Sequence, residues 1–269
     1  MTANQPSEKL QSGLYEKSVV TEKSYTAPAL EKGLDIIELL ATLSEGLKLK
    51  EIAAQLNKSV SEIFRMVCVL EKRQYIHLDS ETEKYHISIK LFEVAFGQYP
   101  VKTLSEVATK ELSYLTKEIK QSAYLSVLNN ESTIVTAYQE SPTENHFKVG
   151  LGSSAPILDS CAGHVFVAYM DDSDYVKIQQ QFGITFEPTR LENLKRVILN
   201  QGYERMLSKK IQGIEEIGFP VFDRMNRIVA CLVVPFLHYL DNSNVVDINT
   251  AIQEAGLSAQ RMTIALSTS

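Results

Sequence analysis

The sequence predicts an α+β chain in two parts, a small unit of three helices and a hairpin followed by an antiparallel sheet flanked by helices. Three observations carry this reading. The length of 269 residues exceeds the roughly 100–200 residues of one average domain. Helical spacing of apolar residues dominates to about residue 72 and then gives way to two short alternating runs. Beyond residue 120, strand-like and helix-like segments are interspersed with hairpin-length turns, which favours an antiparallel sheet over a doubly wound parallel one. The chain has no internal repeat.

Residues 1–27 mix Gln, Ser, Thr, Glu and Lys with few apolar positions, the composition of a disordered, solvated tail. Pro28 then opens a first helix whose apolar residues Leu30, Leu34, Ile37, Leu40 and Ala41 follow helical spacing. A second helix of about two turns covers 50–56, and Asn57-Lys58 supplies the turn because Asn tolerates the left-handed conformation. Ser59 with Glu62 three residues on is a capping box, and Ile63, Val67 and Leu70 then line one face of a third helix. Residues 75–79 and 84–88 read as strands around the polar turn 80–83. Three helices and a hairpin in this order are a winged helix-turn-helix, which is assigned to 28–90.

Residues 89–120 read as helical, punctuated by Pro100; 91–108 is the expected linker and 109–269 the second domain. Within it, 123–128 and 132–138 form strands around an Asn-rich turn, and 146–149 is expected to add another. Helices follow at 160–170, 172–182 and 191–200. Strands at 214–222 and 227–237 flank the turn 223–226, and a helix over 247–266 closes the chain.

Composition excludes several classes. Hydrophobic residues make up 44% and charged residues 22%, ordinary for a soluble globular protein. The longest apolar run, 228–237, is half the ~20 residues of a membrane helix, and the first thirty residues lack the apolar centre of a signal peptide. A cytoplasmic protein without a membrane partner is therefore expected. Cys68, Cys161 and Cys231 are widely spaced without a Cys-x-x-Cys pair, and the five histidines show no ligand spacing, so neither disulfide, metal nor cofactor is expected. The net charge of −6 does not suggest a polyanion partner, but local charge decides, since a basic face can sit on one domain and the acid on the other.

In a helix-turn-helix the leading end of the third helix presents side chains to base edges in the major groove. Ser59, Val60, Ser61, Glu62, Phe64 and Arg65 hold those positions. Arg65 suits a bidentate contact to guanine, and Phe64 a thymine methyl, a core contact or a dimer contact. Lys48, Lys50, Lys58 and the wing residue Lys84 would neutralise phosphates. Gly150-Leu-Gly152-Ser-Ser-Ala155 fits a dinucleotide-binding turn, but Pro156 interrupts it and the next helix starts too late. Cys161 and His164 stand at nucleophile spacing without an orienting Asn or Asp; a buried Cys face of a helix is the simpler account.

The segments 29–41, 50–53, 63–65 and 70–76, then Val149-Gly-Leu-Gly-Ser153, Pro156, Ser160-Cys-Ala-Gly163, Gln201-Gly-Tyr203, Gly213-Ile214 and Ile217-Gly-Phe-Pro-Val-Phe-Asp223 together resemble the IclR family of transcription regulators over about residues 29–266. The resemblance implies a regulator, often a repressor, that assembles as a homodimer or homotetramer on double-stranded operator DNA and binds a small organic effector in a GAF-like C-terminal domain. It places Ser160, Cys161, Ala162, Gly163, Met206, Lys209, Glu216, Val233 and Pro235 at the effector site. Five of these depart from the family pattern: Met206, Lys209 and Glu216 replace an acid or Ser, a Glu and a small Cys-like residue, and Val233 and Pro235 replace serines. Lost hydroxyls and a gained carboxylate disfavour a simple small acid unless Lys209 or a proton compensates. The amides at the start of the 160–170 helix nevertheless remain an anion site, and the two expectations conflict. A second class stays open, a sensing or assembly module whose helix-turn-helix contacts protein. A third, an enzyme using Cys161 and His164 or the Gly150 turn, predicts turnover lost on Cys161→Ala.

Overall fold

A computed structural model describes residues 26–96, 99–239 and 246–268; the tail expected over 1–27 lies outside them except for its last two residues. The N-terminal unit contains α1 (Pro28–Ala41), α2 (Leu49–Gln55), α3 (Val60–Lys72), β1 (Ile76–Asp79) and β2 (Lys84–Ile87). Ile36, Leu40, Ile52, Ala53, Ile63, Val67 and Ile76 form its core. The hairpin pairs Ile76 with Ile87 and Asp79 with Lys84. Leu47 bridges to Tyr85 as a third edge. Gly46 makes that bridge possible, because its φ of +63° is left-handed and a Cβ there would lie 2.6 Å from the Tyr85 carbonyl oxygen.

The apolar spacing of α1 does not coincide with its buried face. The helix buries Gly33, Ile36 and Leu40 and leaves Leu30 and Leu34 63% and 47% exposed. Apolar residues occupy two neighbouring rows of this helix, and periodicity alone does not choose between rows; packing against α3 does.

The expected helical stretch divides into α4 (Lys90–Phe96) and α5 (Tyr99–Ile119). Pro100 is the second residue of α5, where its missing N–H leaves no helical bond unmade. The second domain is then β3 (Ala123–Asn129), β4 (Ser132–Gln139), β5 (Ser154–Pro156), α6 (Cys161–Tyr169), α7 (Asp172–Phe182), α8 (Pro188–Gln201), β6 (Glu204–Leu207), β7 (Ile214–Phe222), β8 (Ile228–Leu237) and α9 (Ile248–Thr268). Its six strands run in the order β5-β4-β3-β8-β7-β6 and are antiparallel throughout.

Helices cover both faces of the sheet. Ala108, Leu112, Leu115 and Ile119 of α5 and Ala251, Ala255, Ala259 and Met262 of α9 pack on Leu125, Ile217, Leu232, Val234 and Phe236. On the other face α6 sets Ala162, Val165 and Phe166 against Cys231 and Val233. Successive residues of β8 therefore face different helices, and both faces being buried explains its unbroken apolar run. Val167 of α6 joins Ile157, Tyr175 and Phe186 in a further cluster.

Two details of the sheet differ from expectation. Residues 146–149 form no strand; the Phe147 carbonyl accepts from the Tyr138 hydroxyl at 3.0 Å instead, and the edge of β4 is taken by β5. The short strand β6, unexpected from sequence, pairs with β7 from Glu204↔Gly218 to Leu207↔Glu215. Pro220 lies beyond that pairing, where its missing N–H costs the sheet nothing.

Candidate functional sites

The capping box at the head of α3 decides which side chains its leading end displays. The Ser59 N–H and hydroxyl donate to Glu62 Oε2 at 2.9 and 2.8 Å, and Lys32 of α1 pairs with Glu62 Oε1 at 3.1 Å. The Ser59 backbone bond above all, then its hydroxyl and Lys32, bring the Glu62 carboxyl down to about 2. Glu62, placed among the base readers by sequence, is thus committed to starting its own helix, and its charge is balanced there. Val60 and Phe64 are 36% and 50% exposed, so Phe64 is no core residue of this unit. Ser59, Ser61 and Arg65 are exposed beside them, and Arg65 forms no ion pair among the described residues.

The lysines divide into two kinds. Lys48 pairs with Glu83 at the wing tip at 3.1 Å, and Lys84 with Glu45 at 3.7 Å. Lys50 is exposed with no ion pair among the described residues. Exposed ion pairs of this kind are weak, so Lys48 and Lys84 can exchange a carboxylate for a phosphate at small cost.

In the second domain, strand register assembles residues far apart in sequence. Met206 stands opposite Glu216 and Glu216 opposite Pro235, while Glu204, Gly218, Val233 and Tyr124 form the next row. Both rows face the start of α6. Gly218 is required by that contact, since a Cβ there would lie 2.8 Å from Cys161 Sγ. Gly163 is required more strongly, for its Cβ would lie 2.1 Å from the Ile157 carbonyl oxygen.

The amides expected to bind an anion are largely engaged within the chain. Ser160 Oγ caps α6 by accepting from the Gly163 N–H at 3.1 Å. The Cys161 amide and the Ser208 hydroxyl favour the charged form of Glu216, but burial outweighs them and pushes its carboxyl up. Lys209 points away, bonded to Asp159 at 2.5 Å. Ala162 packs in the cluster with Val233, and Pro235 is buried. Register thus brings Cys161, Met206, Glu216, Val233 and Pro235 to one place; Ser160 and Gly163 serve the helix cap, and Lys209 serves Asp159.

Sequence reasoning passed over Glu204, Ser208 and Tyr124 here and set His164 aside. His164 and Glu204 are 6% and 7% exposed, and His164 Nδ1 lies 3.5 Å from Glu204 Oε2. No local signal in the sequence marks Glu204, because the strand it opens is a strand only by pairing with β7. Cys161 is fully buried, and burial pushes its thiol well up, the opposite of an activated nucleophile. The Gly150–Ala155 turn leads into β5, not into a helix, as the rejection of a dinucleotide site expects.

A winged helix-turn-helix joined to a separate sheet domain with polar groups gathered over one helix end defines a helix-turn-helix transcription regulator with its own C-terminal domain. Residues 29–80 match the IclR helix-turn-helix domain and residues 99–259 match the bacterial transcriptional regulator IclR C-terminal domain, and the chain belongs to the IclR family of transcriptional regulators. It is 22% identical over 243 residues to the regulator KdgR of Dickeya chrysanthemi, covering 85% of this chain and 78% of that one. To the regulator XynR of Escherichia coli K12 it is 22% identical over 243 residues, covering 87% and 96%. Its fold matches a crystal structure of an IclR homolog complexed with 4-hydroxybenzoate from Microbacterium hydrocarbonoxydans, with a TM-score of 0.73 at 14% identity over 90% of this chain and 100% of that one. No helix among the described residues is long and apolar enough to cross a membrane.

Proposed function

We propose that this chain represses transcription by holding an operator through the leading end of α3 as a homo-oligomer, and that a small organic molecule bound between α6 and strands β6–β8 changes that hold. Ser59, Val60, Ser61, Phe64 and Arg65 face the bases, and Lys48, Lys50 and Lys84 the phosphates. One observation carries the reading. The inner face of α3 is fully buried through Ile63 and Val67, while its outer face leaves Phe64 half exposed beside an Arg65 free of ion pairs among the described residues. Phe64 then meets a thymine methyl and Arg65 a guanine edge.

The effector part is supported by the relative that carries 4-hydroxybenzoate and by the polar groups assembled at the α6 start. Binding at that site alters operator affinity only insofar as the ligand prefers one arrangement of the two heads over the other. Mobility shift on the DNA flanking the gene tests the reading. Arg65→Ala is expected to weaken specific binding by about tenfold, the worth of one bidentate base contact, and unchanged affinity would reject its role.

A further inference from the structure

A cavity of about 310 Å³ opens at the far end of α6, at the lower end of the size range of small-ligand sites. Two central strands part there. Pairing of β3 with β8 runs from Tyr124↔Val233 and ends at Ser126↔Cys231, although β3 continues to Asn129 and β8 begins at Ile228. Leu128 and Val229, which the same register would set opposite each other, both line the opening. Val229 is also the extra residue of a bulge against β7, where Val221 pairs with Ala230 and Phe222 with Ile228, and a bulge bends its strand locally. Phe166, Tyr169 and Met170 at the end of α6, with Ile228, supply the other apolar walls. The helix is nine residues long, about 14 Å at 1.5 Å per residue, so this cavity and the start of α6 are separate places.

The charged residues lining the cavity are Asp171, Asp174 and Arg227, and two of the three are already matched. Lys177 holds Asp174 at 2.6 Å. Asp223 accepts from Arg227 Nε and Nη2 at 3.1 and 2.8 Å. Asp171 is left over. It is the N-cap of α7, where an Asp carboxylate ordinarily accepts from the first amides of its helix, yet its side chain caps nothing and forms no hydrogen bond or ion pair among the described residues. The negative end of α6 and the positive start of α7 meet at the same opening and oppose each other, which leaves the Asp171 carboxylate as the net charge. An ammonium group is favoured beside it and a carboxylate is opposed.

We infer that this cavity is a second ligand site of the C-terminal domain, for a primary amine carried on a small aromatic body. The ammonium donates to Asp171, and the body lies against Leu128, Met170 and Ile228. Phe166 and Tyr169 suit a cation, because an aromatic ring attracts positive charge to its face. An acid of the same shape meets an unmatched carboxylate, with Arg227 already held by Asp223.

The test uses the full chain with phenethylamine and hydrocinnamate, two probes of similar shape and opposite charge. Calorimetry is expected to register phenethylamine and not hydrocinnamate. Phenethylamine is expected to move the methyl resonances of Leu128 and Ile228 and to leave that of Met206, by the start of α6, in place. Asp171→Asn is expected to weaken the amine by about tenfold or more, the loss of one charge-assisted hydrogen bond. Asp171 is exposed and caps nothing through its side chain, so this variant keeps the fold, and the probe comparison on the unaltered chain needs no variant. Hydrocinnamate binding as tightly as phenethylamine, an amine affinity unchanged in Asp171→Asn, or no binding of the amine overturns the site. A shift of Met206 without Leu128 and Ile228 places the amine at the start of α6 and overturns it too. None of these outcomes turns on operator binding, so the regulator reading stands or falls by its own test.

Discussion

Single side chains here are shaped by what they already hold. Glu62 sits at the exposed leading end of α3, yet its two oxygens are occupied by Ser59 and Lys32. Folding lowers its carboxyl from 4.5 to about 2, so the unfolded chain takes the proton more readily than the folded one. Its contribution is therefore complete above pH 4.5 and is lost as the pH falls to about 2. The expected outcome is a Glu62 side-chain carboxyl resonance titrating near the lower value in the folded chain and moving part of the way toward the higher one after Lys32→Ala combined with Ser59→Ala, since the backbone N–H of residue 59 still donates. A folded-state midpoint at the ordinary carboxylate value would show that the box does not form in solution. Gly163 makes the same point by subtraction: α6 starts where it does because this residue carries no Cβ to collide with Ile157.

At the level of elements, the second domain is closed by a side chain that substitutes for a strand. Gln121, just past α5, is 2% exposed. Its amide donates to the Leu237 carbonyl and its oxygen accepts the Leu237 N–H, both at 3.0 Å, which satisfies the end of β8 where β3 no longer reaches. Gln121→Ala leaves both backbone groups without partners and is expected to cost about 2 kcal/mol of unfolding free energy, read as a lower denaturant midpoint at unchanged slope. A change within error would mean that water replaces the amide. Such long-range pairings set the limit on what the sequence discloses. The capping box of α3 and the apolar run of β8 were legible because each depends on nearby residues or on burial of both faces. β6 was not, because Glu-Arg-Met-Leu over 204–207 is too short to show a period and is a strand only by pairing with β7. Residues 146–149 failed for the opposite reason, an extended pattern whose potential neighbour, β4, is paired with β5 instead. At the candidate effector site the strand residues were identifiable from their place in the family pattern, whereas the partners of Lys209 and Glu216 depend on loops and helix ends whose placement no local rule gives.

For the whole molecule, the difficulty is an acidic chain of net charge −6 that is to hold a polyanion. The charge is tolerable if the lysines around α3 act locally and if more than one head engages. On the proposed docking, Lys48, Lys50 and Lys84 offer three phosphate contacts per head. Each phosphate neutralised on duplex DNA contributes about −0.9 to the slope of log affinity against log salt, so a dimer using both heads is expected to show a slope of about −5 and a single head about −3. Lys48 and Lys84 release Glu83 and Glu45 as they bind, which trims these values without changing their order. Mobility shifts on operator DNA over a range of potassium chloride concentrations, repeated with one half-site scrambled, separate the two cases. A slope near zero on the intact operator would assign the helix-turn-helix to protein contacts, because a head that reads DNA without displacing counterions has no source for its affinity beyond the few base contacts of Val60, Ser61, Phe64 and Arg65.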